Sequence, residues 1–340
     1  MGAATTVLPV FRVIGAIGRV LIGTGLVLLA FVAFQLWGTG LEESAGQDQL
    51  SESFALDVGV GDHGDPLAAV TETLATVDPA TVGETAPPPV GEAAGAIVIP
   101  KIGVRKFFVE GTDKASLKKG PGHYQGTPMP GQAGNAAIAG HRTTYGAPFN
   151  RIDELVPGDR IETYTLQGKF VYEVIAPPEG EGIERGPGWW SVRPSAGEVV
   201  GALPEGGNTL TLTACHPEYS ARERIIVRAR LVADQSPAPA ATTGETIDGN
   251  GNGDSSDGAV VPEPSDDELE GSFGGDPDAL SPAIGFLAGA LAALAIAWWI
   301  ARRWTDRPWR RRLTYLAASP AILSLLWFCF VWTDRWLPSL

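Results

Sequence analysis

Three side chains in this sequence have the types and neighbourhoods needed for acyl transfer: a thiol, an imidazole and a guanidinium. Cys215 lies in N-T-L-T-L-T-A-C-H-P-E-Y-S-A-R-E-R-I-I-V-R-A-R-L, Asn208 to Leu231. Thr209 to Thr213 alternate polar with apolar, which predicts a half-buried strand ending at the cysteine. Pro217 and Ser220 mark a turn, and Arg224 opens a second β-branched run, Ile225 to Leu231. A strand end holds a thiol in a fixed place beside a groove, and the return strand brings a guanidinium close to it. The missing partner is His141, in A-I-A-G-H-R-T-T-Y-G-A-P-F, at the end of a predicted strand over Ala136 to Ala139. The thiolate is the nucleophile, so a neighbouring imidazolium and guanidinium would favour it. A lone cysteine at the end of an apolar strand is by default a small buried hydrophobe. His141 and Arg224 are what turn the reading towards catalysis.

Together these stretches resemble the sortases, the cysteine transpeptidases of Gram-positive bacterial surfaces. That family's signature is T-L-x-T-C, then R-x-I-V or R-x-x-V on the next strand, with an upstream G-H. Thr211, Leu212 and Cys215 match it, as do Arg224, Ile226, Val227 and the pair Gly140-His141. Ala214 departs from it, standing where the family usually has Thr. The longer strings G-H-R-T-T-Y-G-A-P-F and C-H-P-E-Y-S-A-R-E-R look most like the class E sortases of actinobacteria. The resemblance covers roughly residues 96–232, plus F-Q-L-W-G-T-G at Phe34 to Gly40.

Composition narrows the alternatives. The chain has 340 residues, with 43 glycines and 27 prolines, well above the usual share of turn formers. The net charge of −14 is uneven: Leu231 to Ala301 hold twelve acidic residues and no Lys or Arg. No basic patch lies outside membrane-flanking positions, so nucleic acid is not an expected partner. The two cysteines, Cys215 and Cys329, exclude a disulfide framework because Cys329 sits inside an apolar run.

Val20 to Trp37 is an uncharged run of 18 residues preceded by Arg12 and Arg19. At about 1.5 Å per residue it nearly spans a hydrocarbon core of about 30 Å. A cleaved signal peptide is the competing reading, but its apolar core would be shorter and no A-x-A-like site follows Trp37. Two further apolar runs, 283–301 and 313–333, flank a turn with six arginines between Arg302 and Arg312. The positive charge places residues 1–19 and 302–312 on the cytoplasmic side. Everything between the first and second spans is then extracytoplasmic, and the two assignments agree.

The expected organisation follows. Residues 1–19 are the cytoplasmic N-terminus, 20–37 a transmembrane helix, and 38–95 a polar stub and flexible spacer. Residues 96–232 form the catalytic domain and 233–282 an acidic disordered linker. Residues 283–301, 302–312, 313–333 and 334–340 are a second span, a basic turn, a third span and a short tail. Within 96–232, Arg160 to Thr165 and Lys169 to Ala176 predict a hairpin around Gln167-Gly168, and Asp113 to Lys119 a short capped helix. The long Pro177 to Gly207 segment carries Trp189 and Trp190, which fit either a groove rim or rings folded back on the domain. About eight strands with few helices give an all-β, barrel-like domain, and the resemblance implies an eight-stranded β-barrel.

The resemblance also implies the reaction. Cys215 would attack the carbonyl of a Thr-Gly bond in a C-terminal sorting signal of L-A-x-T-G type, giving a thioester. His141 would move the proton, Arg224 would hold the oxyanion, and an amine of a peptidoglycan precursor would take the acyl group. Expected partners are therefore surface proteins with a sorting signal, that precursor, and the membrane, with no metal and no cofactor. Tyr124, Ala214 and His216 make up the expected substrate-binding set. Tyr124 equally fits an ordinary barrel-surface tyrosine, and His216, adjacent to Cys215 along an extended strand, points to the opposite face and shapes the following loop. His123 reads as structural or a groove neighbour. Arg222 shares a face with Arg224 by period two, but Arg224 stands before I-I-V. Three alternatives stay open: a pilin-polymerising sortase, for which Gly64-Asp65-Pro66 would be the lid, a non-catalytic membrane scaffold that keeps the barrel, and a plain thiol protease.

Overall fold

The computed structural model describes residues 7–61, 64–202, 207–233, 235–236, 276–304 and 307–337. The chain divides into two units, one holding residues up to Gly38 together with the C-terminal helices, the other running from Thr39 through the β domain.

The β domain is a closed ring. Its strands are β1 (Ala93–Ile99), β2 (Val104–Glu110), β3 (Gly122–His123), β4 (Asn135–Ala139), β5 (Arg160–Thr165), β6 (Gly168–Val174), β7 (Trp190–Val192), β8 (Thr209–His216) and β9 (Glu223–Leu231). The order is β6-β5-β1-β2-β3-β4-β8-β9, and β9 pairs back onto β6, closing an eight-stranded barrel with β7 added along the outer end of β9. Closure removes the open edges that would otherwise template pairing with another chain. The inward residues form one apolar core that includes Ile97, Phe108, Ile138, Phe170, Leu212 and Val227. The expected hairpin is β5–β6, with Thr165 opposite Gly168. The short helix is α4 (Lys114–Leu117), where Asp113 accepts the Ala115 and Ser116 N–H groups as N-cap.

Within the stretch expected as a polar stub and flexible spacer, residues 39–61 and 64–95 lie on the barrel. Helix α2 (Thr39–Val58) and helix α3 (Pro66–Leu74) bury Leu50, Phe54, Val70 and Leu74 against Phe107, Val109 and Tyr164. Each such side chain contributes about 1.5–3 kcal/mol on burial, which offsets the ordering of the helices. The Gln47 carboxamide accepts the Phe107 N–H and donates to the Phe107 and Lys119 carbonyls, all at 2.8–2.9 Å. Gly46 allows this approach, because a Cβ there would lie 2.7 Å from the Lys119 Cα. Gly64-Asp65-Pro66 is a helix start: Asp65 caps α3 at the Ala68 N–H and pairs with Arg105 at 3.4 Å. The segment after α3 also lies on the barrel, with Gln167 donating to the Gly83 carbonyl and Gln132 to that of Thr85.

The other unit contains helix α1 (Val7–Ala33), helix α5 (Leu280–Arg302) and helix α6 (Pro308–Trp336). Among the described residues, three helical stretches are long and apolar enough to cross a membrane, within Ile17–Val58, Pro277–Arg302 and Pro308–Trp336. α5 and α6 pack as a hairpin, with the Phe286 and Phe328 rings 5.3 Å apart. At its turn Arg303 lies 3.9 Å from the Trp299 ring and Arg310 4.6 Å from that of Trp304. The expected acidic linker falls almost wholly outside the described residues.

Candidate active site

Strand register aligns the three candidate side chains at one end of the barrel. β8 runs parallel to β4, with Ala139 opposite Thr213, and antiparallel to β9, with Cys215 opposite Arg224. The Gly140 N–H continues the β4–β8 ladder to the Thr213 carbonyl at 3.0 Å. Two residues past the last pair, His141 stands level with Cys215. Residues opposite each other on neighbouring strands share a face, so Cys215 and Arg224 lie together on the barrel's outer face, with His141 just past the end of β4 beside them in register. All three are buried, at 1%, 2% and 2% exposure.

Local sequence explains each placement. Gly140 is needed because a Cβ there would lie 2.6 Å from the Phe149 ring. The chain turns back at once, with the Phe149 N–H donating to the His141 carbonyl at 3.1 Å. The His141 ring sits 5.0 Å from that of Tyr145, and the Thr144 hydroxyl lies 3.4 Å from His141 Nδ1. Arg224 is fixed by its Nη1, which donates to the Ala221 and Glu223 carbonyls at 3.0 Å. Arg222, two residues earlier, is exposed and precedes the strand.

The electrostatics of Cys215 are a contest. Burial pushes the thiol above its ordinary pKa, while the Arg224 and Arg142 guanidinium charges oppose that shift. Arg142 was not singled out from the sequence, and it organises the other side of the cysteine. It donates from Nη1 to the Cys215 carbonyl at 3.4 Å and to His216 Nδ1 at 2.9 Å, and it pairs with Asp153 at 3.1 Å. A guanidinium can only donate. His216 Nδ1 must therefore accept, which places the imidazole proton on Nε2, 3.0 Å from a Glu184 carboxylate oxygen. The available signal was G-H-R itself: a cation beside a candidate acid–base histidine.

The expected substrate-binding residues separate in space. Tyr124 lies on Cys215's face, its hydroxyl 2.8 Å from that of Thr213, and packs with Ala137, Ala139 and Cys215. Ala214 turns inward with Leu212 and Ile225. His216 sits at the strand end between Arg142, Glu184 and the Trp189 ring, 5.3 Å away. Trp190 is fully buried under the Arg228 guanidinium, 5.1 Å from its ring. His123 is committed elsewhere, donating from Nδ1 to Glu110 at 2.7 Å with Nε2 3.0 Å from both Thr127 Oγ1 and the Pro128 carbonyl. A cavity of about 350 Å³ is lined by Ile183, Arg193, Pro194, Ser195, Arg222 and Glu223. The β7–β9 pairing puts Val192, just before it, opposite Arg224.

Residues 97–232 match the family model described as the sortase domain. The chain is 31% identical over 235 residues to sortase SrtE1 of Streptomyces coelicolor, covering 65% of this chain and 57% of that protein, so the match spans little more than half of that relative's length. It is 28% identical over 238 residues to SrtE2 of the same organism, covering 65% of this chain and 83% of SrtE2. Among solved structures, the SrtF sortase of Corynebacterium diphtheriae is 33% identical, covering 44% of this chain and 89% of that one, with a TM-score of 0.38. The signature residues of the resemblance stand on β8 and β9 and just past the end of β4, around one buried thiol, and the matched segment coincides with the barrel: residues 97–232 are a sortase domain.

Proposed function

We propose that this protein is a membrane-anchored cysteine transpeptidase that joins proteins bearing a C-terminal sorting signal to an amine of the cell wall. The observation that supports this reading is the register that sets Cys215 opposite Arg224 on β8 and β9, with His141 two residues past the β4–β8 pair of Ala139 and Thr213. Cys215 gives its proton to His141 and attacks the carbonyl carbon of a Thr-Gly bond. The oxyanion is held by the Arg224 guanidinium, a type of contact whose loss costs about 2.7–4 kcal/mol in the barrier. As the C–N bond breaks, His141 returns the proton to the glycine amine, which leaves, and a thioester joins Cys215 to the signal's Thr. An acceptor amine then attacks the thioester and passes a proton to His141, and Cys215 departs as thiolate and is reprotonated.

Burial of the thiol fits this sequence, since a proton kept on Cys215 until substrate fills the site limits idle oxidation or hydrolysis. The signal is of L-A-x-T-G type and the acceptor a peptidoglycan precursor, both carried from the family resemblance. Tyr124, on the thiol's face, lines the signal's path. The three apolar helices anchor the enzyme, with the basic 302–312 turn cytoplasmic and the barrel outside. Gly64-Asp65-Pro66 serves as the start of α3, which removes the sequence feature that favoured a pilin-type lid.

The test uses the full chain in detergent with an L-A-x-T-G-type peptide and an amine acceptor. Wild type is expected to yield the Thr–acceptor conjugate and Cys215→Ala none. Cleavage without conjugate, even at saturating amine, would identify a hydrolase instead. Rapid labelling of Cys215 by a small electrophile with no cleavage would reject the substrate class.

A further inference from the structure

The loop that carries His141 is held in an unfavourable backbone conformation. Tyr145, Gly146 and Ala147 have φ of +49°, +69° and +43°, three consecutive residues in the left-handed region. For the two non-glycine residues this costs on the order of 1–3 kcal/mol each, and it persists only where surrounding structure dictates it. Here the surrounding structure is the first turn of α2, about a hundred positions away in sequence. The Thr39 hydroxyl accepts the Tyr145 N–H at 3.1 Å. The Glu43 carboxylate abuts Gly146, where a Cβ would lie 2.6 Å from Oε2. Lys106 fixes that carboxylate at 2.6 Å, and both Thr39 and Glu43 are buried. Lys118 adds a third tie, 3.6 Å from Glu42 and 4.9 Å from the Tyr145 ring centroid.

From α2 the contacts lead directly to the imidazole, through Tyr145, whose ring lies 5.0 Å from that of His141, and Thr144, whose hydroxyl meets Nδ1. Docking of α2 does not require this polar cluster. Leu50, Phe54 and Gln47 already fix the helix to β2 further along. The polar contacts at its first turn fall on the His141 loop and on the lysines beside it.

Resting on the reading of His141 as the acid–base group, we propose that α2 is part of the catalytic apparatus, with Thr39 and Glu43 as positioning residues that hold the His141 loop. The chain leaving the apolar N-terminal run would then set the geometry of the imidazole against Cys215, rather than serve as a tether.

The full chain in detergent tests this with Thr39→Val, which removes the acceptor at nearly constant shape, Thr39→Ser, which keeps it, and Gly146→Ala. The readouts are kcat and KM for peptide transfer, the imidazole NMR signal of His141, one of only four histidines, and the thermal midpoint. Thr39→Val and Gly146→Ala are expected to lower kcat about 10- to 100-fold, as misplacement of a reacting group by about 1 Å does, with little change in KM. The His141 signal moves with them, and Thr39→Ser restores both. Unchanged kcat and an unmoved His141 signal in Thr39→Val would overturn the proposal, whatever the thermal midpoint does. Should wild type transfer no peptide, the transpeptidase reading fails and the His141 signal decides alone: movement in Thr39→Val but not in Thr39→Ser supports the positioning role, and a stationary signal overturns it.

Discussion

The two faces of the β4–β8–β9 sheet are both buried, yet they are built from opposite chemistry. Inward lie Ala136 and Ile138 on β4, Leu210, Leu212 and Ala214 on β8, and Ile225, Val227 and Ala229 on β9. Outward lie Asn135, Ala137 and Ala139, then Thr209, Thr211, Thr213 and Cys215, then Arg224, Ile226 and Arg228. The outer face is small or polar because loops cover it. Asn135 accepts the Thr209 and Thr211 hydroxyls and donates to the Val200 and Gly201 carbonyls, while Tyr124 bonds Thr213 and Trp190 lies over Ile226's side. One face thus closes the barrel by apolar packing. The other keeps a set of hydrogen-bonded positions on which a covered site can be assembled, and Cys215 and Arg224 stand at its end.

The comparison breaks if chemistry and stability are not separable between the faces. The largest expected effect is Cys215→Ala, which lowers transfer by at least about 10⁴-fold while leaving the thermal midpoint near wild type, measured by product formation and calorimetry on one sample. Arg224→Lys follows, at about 10²–10³-fold in kcat, because a single ammonium cannot reproduce a forked donor that holds the turn carbonyls and, in the proposed reaction, would face the oxyanion as well. On the inner face Leu212→Ala should cost about 2–5 kcal/mol of stability through the cavity it leaves, read from the denaturant midpoint. Its effect on chemistry is expected to be slight under conditions where the protein stays folded. Asn135→Ala sharpens the contrast from the outer side. It strands two hydroxyls and two loop carbonyls, and a cost of about 1–3 kcal/mol with loosening of residues 197–201 by hydrogen exchange would mark that face as polar in its energetics too.

Much of this was readable in the sequence, for definite reasons. T-L-T-L-T-A-C alternates with the period of a strand, so the thiol's face and the core's face were separable before any coordinates. What the alternation could not reveal was that the polar face is covered; threonines read as solvent-facing until Tyr124 and Trp190 are in place. The packing of α2 onto the barrel is not legible in the sequence because the helix buries a narrow stripe, chiefly Leu50 and Phe54 four residues apart, in an otherwise Glu-, Ser- and Gln-rich segment. Gly46 is a close-approach position against Lys119. G-H-R places a cation beside His141, but the partners of Arg142, the Cys215 carbonyl and His216, are more than seventy positions away and no spacing encodes them.

The smallest expected effect concerns the proton on Cys215. Burial raises the thiol's pKa, and Arg224 and Arg142 oppose the rise without cancelling it. The folded protein therefore holds this proton at pH values where the unfolded chain has begun to release it. The group's contribution to stability is fully present below the unfolded thiol's pKa of about 8.5 and is lost as pH climbs through the higher folded value. Wild type should thus lose stability between pH 8 and 10 more steeply than Cys215→Ala, which has no thiol to ionise, with the difference read from denaturant midpoints across that range. The same proton governs reactivity. Alkylation of Cys215 in the free enzyme should stay slow at neutral pH and accelerate only above the ordinary thiol range. Acceleration already below pH 8 would mean that the two guanidiniums outweigh burial, and that the outer face presents a ready thiolate rather than a thiol awaiting its substrate.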